Sequence, residues 1–284
     1  MTEGQVRLGA AFPPPRATFL HRRSQLGTPV AGTAGAATNN SVGISGVAWN
    51  CMIMPLRVSS PGGIVSWSNL ATALSWAADH RARVANISFA FGASPTVSSA
   101  AQYFQSHGGV VTVSAGNYST VHINPDNPYL LVVSATDSGD KLTTWNDTGS
   151  DIDLAAPGVS IPSTWNGGGY GSRSGSSMSV PIVAGVAALA ISANPSLTAS
   201  QVQDRLGAFS ATVKQSADDL GPAGGDPSYG WGRINAGRAV ALAAETRSPP
   251  PGTTPPTVSS PGGIRGVGPN TPTGCDAERP LLHQ

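Results

Sequence analysis

Two short stretches of this 284-residue sequence place polar side chains where they could do acyl-transfer chemistry. The first is Gly175-Ser176-Ser177-Met178-Ser179-Val180-Pro181, which opens the apolar run Val180–Ile191. A glycine lets backbone approach a ligand closely. Ser177 falls at the start of the helix that the apolar run predicts, where unpaired N–H groups and the positive end of the helix dipole favour developing negative charge. Pro181 falls in the first turn, where its missing N–H costs little. Such a serine can be a nucleophile, or an ordinary helix-capping residue. The second stretch is Val110–Ser114 followed by Ala115-Gly116-Asn117. An Asn just past a buried strand can aim an amide N–H at an oxyanion, or can simply hold a turn.

The elements that must hold these groups alternate. Strands are expected at Met52–Val58, Val84–Phe91, Val110–Ser114, Leu130–Ala135 and Asp151–Ala155. Ser66 or Ser68 caps a helix to about Ala82, and Ser94 caps one with Pro95 at its first position, ending near Gly108. Ser177–Ser192 reads as a helix apolar almost all round, hence buried. Thr198 and Gln201 form a capping box for a helix to about Leu206, and Asn235 starts a last helix to about Glu245. Repeated strand–helix–strand order predicts a parallel sheet with helices on both faces, and ligand sites in such sheets lie beyond the carboxyl ends of the strands.

With these residues in place, Gly27 to Ala243 resembles the subtilisin-like serine proteases of peptidase family S8. GSSMSVPIVAG resembles the family's serine motif and VVTVSAGN its oxyanion-asparagine motif. GTPVAGTAGAATNNSVGISGVAWNCMIMPLRV resembles the family's histidine-motif region and the segment after it. DIDLAAPGVSIPST and YGWGRINAGRAV resemble the segments before the nucleophile and at the domain's end. The resemblance implies Ser177 as nucleophile, Asn117 as oxyanion donor, and Ser88-Phe89-Ala90 as the strand that pairs with substrate backbone beside the specificity pocket. The family usually has glycine where this chain has Ala90, and the added methyl is expected to crowd a bound side chain. The resemblance also implies a structural calcium loop at Thr38–Ile44, with the carbonyls of Thr38, Val42 and Ile44 and the side chain of Asn40 as oxygen ligands.

The departures bear on activity. The family's catalytic histidine directly precedes Gly-Thr, and here that position is Leu26. Leucine has no nitrogen to accept the serine proton. The family's aspartate ends a central strand well upstream, and here no aspartate precedes Asp79. His21 has no visible scaffold as a substitute base, and His80, His107, His122 and His283 read as surface histidines. The expectation is a three-layer α/β fold lacking the Asp-bearing strand, and a serine endopeptidase by resemblance that is weakly active or inactive. A non-catalytic peptide-binding module or a gene remnant are the alternatives. The abrupt start of family-like sequence at Gly27 suggests a truncated or decayed form of a longer secreted protease.

Composition sets the outer bounds. Lys and Arg total 16 against 15 Asp and Glu, a formal net charge of +1, and charged residues are only 11%. That balance gives no field for nucleic acid or an anionic membrane, and Val180–Ile191 is too short to span a bilayer. The expected partner is a polypeptide substrate or peptide ligand, bound by a monomer. The resemblance implies an extracellular address, although no signal peptide is visible. Three zones are expected: an unstructured leader at 1–25, the peptidase domain at 26–247, and a disordered tail at 248–284 with nine Pro and six Gly in 37 positions. Cys51 and Cys275 are too few for a disulfide framework, and pairing between them is not expected.

Overall fold

The computed structural model describes residues 16–21, 26–59, 65–90, 94–206 and 216–245, with 16–21 and 204–206 described as backbone only. All lie in the unit Met1–Arg247. The expected tail at 248–284, Cys275, His283, Phe91 and residues 1–15 fall outside the described residues.

The elements run in the order β1 (Arg16–His21), α1 (Gly27–Gly35), β2 (Met52–Arg57), α2 (Trp67–Asp79), β3 (Ala82–Ile87), α3 (Pro95–Ser106), β4 (Val110–Ser114), β5 (Val121–His122), β6 (Leu131–Thr136), β7 (Thr148–Gly149), β8 (Leu154–Pro157), β9 (Ile161–Thr164), β10 (Tyr170–Arg173), α4 (Ser176–Ala193), α5 (Ala199–Leu206), β11 (Ala217–Asp218), β12 (Arg233–Ile234) and α6 (Ala236–Glu245). Eight strands form one sheet in the order β11-β12-β8-β6-β4-β3-β1-β2, parallel from β12 to β2, with β11 antiparallel at one edge. Two helical layers sandwich it, as the alternating pattern predicts.

Each helix buries the stripe its sequence supplies. Ser66 Oγ accepts the Asn69 N–H at 3.2 Å and starts α2, which turns Leu70, Leu74, Ala77 and Ala78 inward. Together with Val97, Ala101 and Phe104 of α3 they cover Ala85, Ile87, Val111 and Val113 of the sheet. Each fully buried leucine contributes about 2–3 kcal/mol. The opposite face packs on α4, an 18-residue helix buried on nearly all sides. Its apolar length belongs to the core, where Val180, Val183, Val186 and Ala187 meet Val84, Leu131, Val133 and Leu154. Thr198 and Gln201 make the expected capping box, with the Thr198 N–H donating to Gln201 Oε1 at 2.9 Å and the Gln201 N–H to Thr198 Oγ1 at 3.3 Å.

One expectation is corrected. Residues 16–21, read as part of an unstructured leader, form β1 inside the sheet, between β2 and β3 and parallel to both. Leu20 pairs with Ile87 on one side, and His21 with Arg57 on the other. The place of the strand expected to be missing is therefore filled. The three prolines at 13–15 precede β1 in sequence and fall outside the described residues. The residue at the carboxyl end of β1 is His21, not an aspartate.

Candidate active site

The carboxyl ends of the neighbouring strands β3 and β4 meet the amino end of α4. Gly175, the residue before α4, has no side chain to cap it, and the cap comes from another element. Asn117 Oδ1 accepts the Ser176 N–H at 2.8 Å and lies 2.9 Å from Ser176 Oγ. That hydroxyl is fully buried, 2.7 Å from Ser114 Oγ, and accepts the Gly116 N–H at 3.2 Å. Because a backbone N–H must donate, the Asn117 amide is fixed with its oxygen toward the helix and its NH2 turned away. Gly175 sits at φ 146°, and a Cβ there would lie 3.5 Å from Asn117 Nδ2 and 3.8 Å from the Ser177 nitrogen. The two donors thus border one small space that the glycine leaves open. The Ser177 N–H has no acceptor among the described residues, as the first turn of a helix requires.

Ser177 itself is half-buried. Its Oγ donates to the Ser88 carbonyl at 2.9 Å. In return Ser88 Oγ donates to the Ser177 carbonyl at 2.9 Å, and Asn86 Nδ2 donates to Ser88 Oγ at 2.8 Å. The second bond has a clear cause. The Ser177 carbonyl would ordinarily accept from the residue four further on, which is Pro181 and has no N–H. Ser88 supplies the missing donor. The sequence therefore brings Ser177, Asn117 and Ser88 together. Phe89 is buried and Ala90 exposed beside them.

The profile of the subtilase family matches residues 22–232. The chain belongs to the subtilase family. Subtilisin of Bacillus pumilus is 38% identical over 211 residues, covering 71% of this chain and 75% of that protein. Alkaline elastase YaB of Bacillus sp. (strain YaB) is 35% identical over 239 residues, 83% of this chain and 60% of the relative, so the chain spans less than two thirds of that protein. Among solved structures, a protease from Pseudoalteromonas arctica PAMC 21717 superposes with a TM-score of 0.69 at 30% identity, over 78% of this chain and 72% of that one. The prenylagaramide maturation protease PagA shares the fold, with a TM-score of 0.70 at 23% identity over 82% and 94% of the two chains.

In this subtilase Leu26 stands at the N-cap of α1. It is half-buried and packs against the core that holds Val30 and Met178. Of the three histidines with described side chains, none bonds Ser177. His80 Nδ1 lies 2.7 Å from the Trp76 carbonyl and His107 Nδ1 lies 2.9 Å from the Tyr103 carbonyl. His122, read from sequence as a surface residue, has carboxylates on both sides. Its Nδ1 lies 3.1 Å from Asp151 Oδ2 and its Nε2 lies 3.5 Å from Asp147 Oδ2. A histidine–aspartate pair is thus present, but it lines a cavity of about 460 Å³ next to Ala90 and Ser114-Ala115 rather than facing the serine hydroxyl. No sequence signal points to it, because the partners lie 25 and 29 residues apart on the two-residue strand β5, the residue before β7 and the loop after β7.

Carboxyl groups around this cavity feel burial and one another. Burial raises Asp126, the Asn127 N–H lowers it, and the charge of Asp151 raises it further. Asp153, fully buried behind the cavity, is held well above the usual carboxylate range by desolvation, which the Val132 N–H at 2.7 Å only partly offsets. At Thr38–Ile44, Asn40 Oδ1 accepts the Val42 N–H at 3.1 Å, and the segment contains no carboxylate. The Asn40 oxygen expected as a ligand is thus already engaged within the turn, and the segment offers a cation only neutral oxygens, from its carbonyls and from the side chains of Thr38, Asn39, Asn40 and Ser41. Cys51 is a free thiol that burial pushes up to about 11.

Proposed function

We propose that this chain is a subtilisin-like serine endopeptidase domain that binds extended polypeptide and hydrolyses it slowly or not at all. The observation that supports this reading is the Ser177 Oγ–H···O=C Ser88 bond at 2.9 Å. Attack by Ser177 Oγ on a peptide carbonyl forms a C–O bond and must release the hydroxyl proton to a base. A backbone carbonyl does not take that proton, and Leu26 cannot. The rest of the arrangement suits the family reaction. Asn117 Nδ2 and the Ser177 N–H would donate to the oxyanion, and Ser88-Phe89-Ala90 would pair with substrate backbone as an added strand. No step in this scheme uses calcium. The family relationship supports an extracellular setting and a polypeptide partner, with no role for nucleic acid or membrane.

The test combines a fluorophosphonate probe, casein turnover and peptide binding on the purified chain. Slow or absent labelling together with measurable peptide binding is expected. Rapid labelling at Ser177 with appreciable casein turnover overturns the proposed inactivity. Absence of both labelling and peptide binding overturns the peptide-site reading.

A further inference from the structure

The cavity beside Ala90 has two chemically distinct parts. Its walls are apolar, from Ala90, Val113, Ala115 and Val132. Two carboxylates share its lining, the buried Asp151 and the exposed Asp126. Asp151 is buried, and its only described cationic neighbour is His122, which also faces Asp147. No Lys or Arg lines the cavity among the described residues. In either protonation state of His122, carboxylates outnumber cations there. The volume of about 460 Å³ lies in the range of ligand sites.

We infer that this cavity takes the cationic side chain, Arg or Lys, of a bound peptide, with Asp151 and Asp126 as the carboxylates that specify it. The inference rests on the proposed role of residues 88–90 in holding extended peptide. An aliphatic stem ending in a charged head matches a cavity whose lining joins apolar side chains to carboxylates. Both Asp151 oxygens engage His122 Nδ1, Oδ1 at 3.2 Å and Oδ2 at 3.1 Å; Oδ2 also accepts from Asn124 Nδ2 at 3.5 Å, and Oδ1 keeps a further lone pair for a guanidinium or ammonium donor. An apolar occupant of the same length would strip water from these carboxylates and give no counter-charge. A glutamate would add like charge. Ala90 is among the residues that line the cavity of about 460 Å³.

The experiment is fluorescence anisotropy on the full chain with labelled hexapeptides Ala-Ala-Ala-X-Ala-Ala, where X is Arg, Lys, norleucine or Glu. Arg and Lys should bind at least about tenfold tighter than norleucine, and Glu more weakly than norleucine. In Asp151→Asn, and separately in the exposed-site variant Asp126→Asn, the Arg-to-norleucine ratio should fall at least threefold. A norleucine preference, or a ratio untouched in both variants, overturns the inference. If no peptide binds at all, the peptide-site reading fails, and benzamidine against benzamide then tests the cavity alone. Benzamidine binding lost in Asp151→Asn upholds a cation site, and equal or absent binding of the pair overturns it.

Discussion

Ser88 and Ser177 exchange hydrogen bonds, each hydroxyl donating to the other's carbonyl at 2.9 Å. One of the two is structural, because it replaces the helix bond that Pro181 cannot make. The other holds the proton that the family's chemistry must remove. The same backbone segment that would receive substrate also occupies the nucleophile.

If the missing base is what limits Ser177, Leu26→His should raise its fluorophosphonate labelling rate at least about tenfold, since a positioned base contributes about 10²–10⁴. Adding His21→Asp at the end of β1 should raise it further. Labelling rates on gels, with Ser177→Ala as blank, measure both steps. Unchanged rates would show that the start of α1 does not face the serine.

Removing the Ser88 hydroxyl leaves the Ser177 carbonyl without a donor and Asn86 Nδ2 without an acceptor. Ser88→Ala should cost about 1–3 kcal/mol of stability. Urea midpoints at constant slope measure this. A loss below about 0.5 kcal/mol would mean that water satisfies both groups.

Asn117 does two jobs that substitutions separate. Asn117→Asp keeps an oxygen for the Ser176 N–H and should stay within about 0.5 kcal/mol of the native stability, whereas Asn117→Ala should lose about 1 kcal/mol, as other lost caps do. Neither keeps the amide donors. In a Leu26→His background both should slow labelling by about 10². Equal stability of the two variants would contradict the capping role.

Asp153 predicts a pH dependence with a definite sign. Burial raises its carboxyl in the folded chain, while the unfolded value lies near about 3.9. Folding therefore binds a proton between those values. The contribution is fully present below about pH 4 and is lost as pH rises through the raised folded value. Asp153→Asn stays neutral throughout, so its stability should fall less than that of the native chain from about pH 4 upward. Urea denaturation at several pH values checks this, and parallel curves for the two proteins would refute it.

The readable parts of the sequence are those with local cause. Glycine and serine before a long apolar run mark the start of α4, and alternating strand and helix patterns mark the layers. The motif order carries Ser177, Asn117 and Ser88 to one place. The unreadable parts are set by pairing at a distance. β1 mixes Arg16, Thr18 and His21 with Ala17, Phe19 and Leu20 in no clear alternation, and only its neighbours β2 and β3 define it. The His122–Asp151 contact joins two segments that no spacing rule connects. Even at Asn117 the sequence shows a donor, but not that its oxygen is pinned by Ser176 and so aims that donor.

The pinning has a consequence for how this molecule could regain or lose chemistry. The proposed cradle for negative charge would be assembled from α4 and the loop after β4, with no part contributed by α1. A base at position 26 would then be gained or lost without dismantling the part proposed to grip a tetrahedral centre. On this proposal cutting and holding are separable properties, and a chemist would restore the first through position 26 and the end of β1 while leaving the second in place.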